Sequence, residues 1–192
     1  MNFNNYEIIL ASGSPRRQQF LKDLEIEHKI DVREVNEVYP EHLQKEQITD
    51  YLAKLKANAF ADDITQKQII LTSDTIVWHN NKALGKPKSK QEAIKMISGL
   101  SDDWHSVITS VCFTTKSEQI VKNYTTKVHF KKLETKEIEH YVNKYSPLDK
   151  AGAYGIQEWI GFIGIDKIEG SYFNVVGMHT HIVYETLKSL TL

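Results

Sequence analysis

Cysteine is nearly absent: Cys112 is the single one in 192 residues, so no intramolecular disulfide can form. It sits in the apolar run Val111-Cys112-Phe113 and reads as a small buried hydrophobe rather than a reactive thiol. Four prolines and nine glycines leave no Pro/Gly/Ser-rich linker, and no internal repeat or low-complexity tract divides the chain. No apolar run approaches the roughly 20 residues that cross a bilayer. Residues 1–6 lack the basic stretch and long apolar core of a signal peptide. An excess of one charge is also missing. With 24 basic and 25 acidic side chains the net charge is −1, which gives no electrostatic reason to expect a nucleic-acid or membrane partner. These absences point to a cytoplasmic protein of one domain, in which a polyanion must be gripped by a local cluster of cations.

What is present is an ordinary globular composition, 41% hydrophobic and 26% charged, with strands and helices in alternation. Glu7 to Leu10 predicts a short strand running into Ala11-Ser12-Gly13-Ser14. Ser14 then serves as N-cap and Pro15 as first residue of a helix with Phe20, Leu21 and Leu24 on one face. A second helix is expected from about Thr49, burying Tyr51, Leu52, Leu55 and Ala59. Gln68 to Thr72 reads as a buried strand that ends at Ser73-Asp74-Thr75, and 76–84 as a hairpin about Asn80-Asn81. Ser89-Lys90-Gln91-Glu92 has the capping-box pattern, with Gly99 closing that helix. Stretches 104–115 and 119–130, dense in β-branched and aromatic residues, predict a long hairpin. A helix over 135–145, a Gly-rich segment over 151–177 and a last helix from about Thr180 complete an α/β chain with a mixed sheet.

Three segments carry chemistry. Ser12-Gly13-Ser14-Pro15-Arg16-Arg17 places free N–H groups, two hydroxyls and two guanidinium groups at a helix start, where the helix dipole also attracts anions. Taken alone it is equally a capped surface helix with solvated arginines, and its spacing differs from that of a P-loop. Asp74, expected at the C-terminal end of an apolar strand, can hold a divalent cation or accept a proton from water; read alone it is a turn residue. Lys86 in Gly85-Lys86-Pro87, Glu37 and Lys56 are surface charges by themselves and gain interest from their company. In Asp149-Lys150-Ala151-Gly152-Ala153-Tyr154-Gly155-Ile156-Gln157 the small residues imply close backbone approach. There Gln157 offers a base edge both a donor and an acceptor, and Lys150 adds positive charge.

In their order and spread over nearly the whole chain, these segments, together with Gly170 to Gly177, resemble the Maf family of nucleoside triphosphate pyrophosphatases. The resemblance implies a bilobed mixed sheet with flanking helices, related to the inosine triphosphate pyrophosphatases, with the active site in a cleft between lobes. It implies cleavage between the α- and β-phosphates, a divalent metal cation (Mg²⁺ or Mn²⁺) held by Asp74 and Glu37, and a homodimer. Asp74 matches the family's proton acceptor. Arg16, Thr75 and Gln157 match positions associated with substrate choice, and Ser12, Ser14, Arg17, Lys56, Lys86 and Lys150 match other positions around the substrate. Asp-Thr and Ala-Gly-Ala-Tyr-Gly-Ile-Gln resemble the branch acting on dTTP and UTP. Three departures stand out. Asn36 replaces the usual Asp before the glutamate, Met178-His179-Thr180 replaces the usual Leu-Pro with Thr180 left to cap the last helix, and Trp159-Ile160-Gly161 varies the segment beside the base reader.

Two alternatives follow from the same residues. One is a nucleotide-sensing or division-regulating module that has kept the binding site and lost turnover, which Asn36 favours. The other is the same chemistry on 7-methyl-GTP or a modified pyrimidine triphosphate. His179 and His181 lack a third ligand for a transition metal and read as surface histidines. His105, beside Trp104, reads as a satisfied packing residue.

Overall fold

The computed structural model describes residues 3 and 6–191, so the signal-peptide reading of 1–6 falls largely outside the described residues. Its strands are β1 (Glu7–Leu10), β2 (His28–Ile30), β3 (Gln68–His79), β4 (Lys82–Leu84), β5 (Trp104–Thr114), β6 (Gln119–Phe130) and β7 (Ile165–Glu169). The helices are α1 (Pro15–Asp23), α2 (Glu46–Asn58), α3 (Lys90–Leu100), α4 (Thr135–Tyr145), α5 (Trp159–Gly164), α6 (Tyr172–Val176) and α7 (Thr180–Leu190), with a 3-10 turn at Ala151–Ala153. The strands form one sheet in the order β2-β1-β3-β5-β6-β7, with β4 paired to β3. Parallel pairing of β1 with β2 and β3 and antiparallel pairing of β3 with β4 and of β6 with β7 make it mixed, as the sequence predicts.

The chain divides into two compact units. The first comprises 1–74, 109–124 and 177–192. Its core joins Ile8 and Leu10 of β1, Leu21 of α1, Ile69 and Leu71 of β3, Val111 and Phe113 of β5, and Val183 and Leu187 of α7. Cys112 lies fully buried with Ala53 and Ala57 of α2, and burial pushes its thiol up, so it is the inert hydrophobe expected. The helix α2 begins three residues before Thr49 and leaves Tyr51 exposed; Ile48, Leu52, Ala53 and Ala57 form its inner face. Helix α1 starts at Pro15 as expected. Ser14 is its N-cap by backbone angle, yet its hydroxyl makes no capping bond.

The second unit comprises 75–108 and 125–176. Its core gathers Val77, Ile97, Leu100, Val107, Val128, Phe130, Tyr141, Tyr154 and Ile160. At the β3–β4 turn Asn80 and Asn81 both take positive φ, 47° and 59°, the geometry the sequence predicts for a two-residue hairpin. Ser89 Oγ caps α3 by accepting from the Glu92 N–H at 3.2 Å, but Glu92 returns its carboxylate to the Lys88 N–H, and Gly99 lies inside the helix with Ser101 as C-cap. Within the Gly-rich segment, residues 172–176 form the helix α6.

His105 is 3% exposed in β5, with Nε2 2.7 Å from the Tyr154 hydroxyl and its ring stacked on Phe130. Its Nδ1 is buried without a hydrogen-bond partner among the described residues, so the packing residue is only half satisfied. Burial, with His79 adding positive charge, pushes its pKa from 6.5 down to about 3. The unfolded chain therefore takes up a proton that the folded chain refuses as pH falls below 6.5. Stability from this group is complete above that pH and declines toward 3, by about 1.4 kcal/mol per pH unit. Urea unfolding at pH 7 and pH 5 is expected to show His105→Gln losing about 2 kcal/mol less than wild type over that interval. Equal losses would contradict the assignment.

Candidate active site

Asp74 owes its place to strand alternation and to helix docking. Parallel pairing of β1 with β3 ends at Leu10 and Leu71, with the Ala11 N–H still donating to the Leu71 carbonyl at 2.8 Å. Beyond that point β3 continues, so Asp74 sits mid-strand rather than at the strand end read from the sequence. Thr75-Ile76-Val77-Trp78 has strong strand propensity and carries β3 onward to His79.

Residues 72 and 74 share a strand face. The Thr72 hydroxyl donates to the Ala53 carbonyl of α2 at 2.6 Å, and the buried Thr49 hydroxyl lies 2.6 Å from Ser110 Oγ of β5. These bonds pin α2 across the sheet. One turn after Ala53, Lys56 meets Asp74: Nζ lies 2.7 Å from Oδ1 and 3.0 Å from Glu37 Oε2. Asp74 is 7% exposed, whereas Glu37 stands in the open segment before α2. A single ammonium thus holds two carboxylates together.

The turn after β1 adds hydroxyls and guanidinium groups. Ser12 is buried, and its Oγ accepts from the Ser14 N–H at 3.3 Å and from Arg17 Nη1 at 3.5 Å. Arg17 departs from the expected phosphate donor. Its Nη1 donates to the Ser73 carbonyl at 2.8 Å and its Nε to the Gly177 carbonyl at 3.0 Å. Two carbonyls 104 positions apart in sequence are thereby tied to α1, one of them adjacent to Asp74. Burial lowers the pKa of this guanidinium, an effect opposed by the charges of Asp74 and Glu37. Arg16 is half-buried beside it. The first unit therefore brings together Ser12, Ser14, Arg16, Arg17, Glu37, Lys56 and Asp74.

In the second unit Thr75, next along β3, projects from the face opposite Asp74 and is half-exposed. Lys86 is exposed on the 85–87 turn, whose Gly85 carbonyl accepts from the Gly152 N–H at 3.1 Å. Gly152 has φ +69°, and a Cβ there would stand 2.7 Å from a Val77 methyl, the close approach its sequence implies. Lys150 is 9% exposed, with Nζ 2.7 Å from Asp149 Oδ1 and 3.1 Å from Glu158 Oε1. Its charge is already balanced by two carboxylates, which the sequence does not reveal. Gln157 is half-exposed directly before Glu158.

His179 is the N-cap of α7, its Nδ1 accepting from the Ile182 N–H at 3.2 Å, so the cap is one residue earlier than the Thr180 expected. It is buried rather than on the surface. Among the described residues no group of three or more His, Cys, Asp or Glu side chains is placed to hold a metal. Two carboxylates, Asp74 and Glu37, both lie within 3.0 Å of one cation, the Lys56 ammonium. That hard-oxygen pair suits Mg²⁺ or Mn²⁺, which take one or two carboxylates and complete their shells with water and phosphate oxygens.

Comparison with known proteins adds a family. The model described as Maf-like protein matches residues 7–190. A dTTP/UTP pyrophosphatase of Christiangramia forsetii is 63% identical, over 97% of this chain and 95% of that protein. Proteins of the same name from Flavobacterium johnsoniae and Bacteroides fragilis are 54% and 46% identical, covering 96% and 98% of this chain and 95% and 98% of their own lengths. Among solved structures, the Staphylococcus aureus Ham1 protein aligns over 65% of this chain and 71% of its own at 15% identity, with a TM-score of 0.45.

Proposed function

We propose that this chain, which belongs to the Maf family, hydrolyses dTTP and UTP to the nucleoside monophosphate and pyrophosphate. The observation that carries the reading is the cluster at the end of β1: a buried Asp74 bridged by Lys56 to Glu37, beside the Ser12–Arg17 turn at a helix N-terminus. Nearly full-length identity to relatives bearing that name supports the substrate class.

In this reading Lys56 holds Asp74 Oδ1, and Asp74 Oδ2 orients a water and takes its proton. The water oxygen bonds to the α-phosphorus as the bridging bond to the β-phosphate breaks, and pyrophosphate leaves. The N–H groups at the start of α1, the Ser12 and Ser14 hydroxyls and Arg16 offer donors to phosphate oxygens, where fixed dipoles stabilise developing charge. Asp74 and Glu37 would hold a divalent cation, which when bound supplies charge neutralisation to the triphosphate. Arg17 keeps α1 and Ser73 in register with Asp74. Thr75 and Gln157 are assigned to substrate choice, with Lys86 and Lys150 as further cations. The balanced net charge agrees with a small-molecule substrate rather than a nucleic acid, and a buried lone thiol suits the cytoplasm. A homodimer is part of the same reading.

Pyrophosphate release with Mg²⁺ is expected from dTTP and UTP ahead of CTP, the purine triphosphates and 7-methyl-GTP. Preference for 7-methyl-GTP would reassign the substrate. Binding without release would instead favour the nucleotide-sensing module, which the exposed Asn36 beside Glu37 favours.

A further inference from the structure

We propose that Glu158 is a positioning residue for nucleotide choice, fixing the backbone that presents Gln157. The inference rests on the reading of Gln157 as the residue that faces the base. Glu158 follows Gln157 and is the N-cap of α5, yet its side chain makes no capping bond. It turns back instead. One carboxylate oxygen lies 3.1 Å from Lys150 Nζ, and the other accepts a short hydrogen bond from the Tyr141 hydroxyl. That hydroxyl in turn accepts from the Gly155 N–H at 3.1 Å.

Each link restrains the same short segment. Lys150 precedes it, Gly155 lies within it, and Tyr141 reaches it from α4, where the ring is fully buried and stacked on Tyr145. Burial and the adjacent carboxylate push the Tyr141 hydroxyl up, so it keeps its proton and donates it to Glu158. Gly155 is small for a reason: a Cβ there would stand 2.9 Å from the Glu158 carboxyl carbon. The Glu158 carbonyl also accepts from the Gly161 N–H at 2.9 Å, closing the first turn of α5. The backbone on both sides of Gln157 is therefore held by one carboxylate and its partners, and Gln157 itself is half-exposed.

A carboxylate used this way acts on binding geometry, and a misplaced reading group weakens substrate capture more than the chemical step. The test uses the full chain with Glu158→Gln, Tyr141→Phe and the double variant, measuring kcat and KM for dTTP and CTP beside thermal melts. The expected result is a rise in KM for dTTP of about tenfold with kcat within about twofold, and a narrowed preference for dTTP over CTP. The double variant should be no worse than the more affected single, because both substitutions break one network. Folded variants with wild-type KM and preference would overturn the proposal. So would an equal fall in kcat on both nucleotides, the mark of a purely structural role. If Glu158→Gln melts below the assay temperature, Tyr141→Phe, which removes one hydroxyl, gives the same readout. Wild-type protein that hydrolyses no nucleotide overturns the pyrophosphatase reading and this inference with it. Active wild type with unaffected variants overturns the positioning role alone.

Discussion

Asp74→Asn is expected to lower kcat by about 10²- to 10⁴-fold, the range over which general-base catalysis commonly contributes, while the protein stays folded. Asparagine keeps the size of the side chain and can still accept from Lys56 through its amide oxygen. What it loses is the basic oxygen that takes the proton from water. Folding tolerates the change because Lys56 retains Glu37 at 3.0 Å, so its ammonium is not left buried alone. Thr72, which anchors α2 through the Ala53 carbonyl, is also untouched. Steady-state kinetics beside circular dichroism separates the two effects. A folded variant with near-normal turnover would remove Asp74 from the role, and loss of the native spectrum would make it a structural carboxylate.

Gly161→Ala is expected to be the most damaging small substitution to stability. A Cβ at this position would stand 1.9 Å from the Ile156 carbonyl oxygen and 2.6 Å from its carbon. Both are backbone atoms, so no side chain can swing aside. Ile156 is itself buried in the core of the second unit, and the Gly161 N–H is tied to Glu158. Relief must come from displacing α5 or the segment that carries Gln157. Overpacking against backbone costs about 3 kcal/mol, the upper end of the usual range, and in a chain of this length that lowers the thermal midpoint by roughly 10 °C. Gly99→Ala is the matched control. It lies inside α3 with nothing within 4 Å of the added carbon, so it is expected to stabilise by up to about 1 kcal/mol. Melting curves that shift in the same direction for both variants would contradict this account of the two glycines.

Elements whose own residues decide their conformation are legible in the sequence. The long strands β5 and β6 and helix α4 are found within a residue of their expected limits, because β-branched density and helical periodicity persist over ten residues or more. Short elements fixed by their surroundings are not. The edge strand β2 is three residues of weak pattern that pair with β1. Segment 172–176 has strand-like composition yet forms α6 between Gly170 and Gly177, both at positive φ. Its fully buried Asn174 donates to the Val107 carbonyl and to Thr126 Oγ1. Here tertiary hydrogen bonds outweigh propensity.

The candidate site divides in the same way. The residue types that bind phosphate and activate water can be picked out one by one, but the charges that balance them cannot. Lys56 and Asp74 lie 18 positions apart, and their contact depends on where α2 docks. Glu158 and Tyr141 carry no motif, and their bond exists only once α4 packs beside the 155–158 turn. Arg17 looks like a second phosphate donor in Pro-Arg-Arg. Its commitment to the Ser73 and Gly177 carbonyls follows from chain segments that only folding brings together.

Hydrolysis of dTTP in oxygen-18 water, followed by mass spectrometry of the products, tests the central claim most directly. Attack of water on the α-phosphorus predicts one heavy oxygen in dTMP and none in pyrophosphate. Label in pyrophosphate, or release of dTDP with labelled inorganic phosphate, would contradict it.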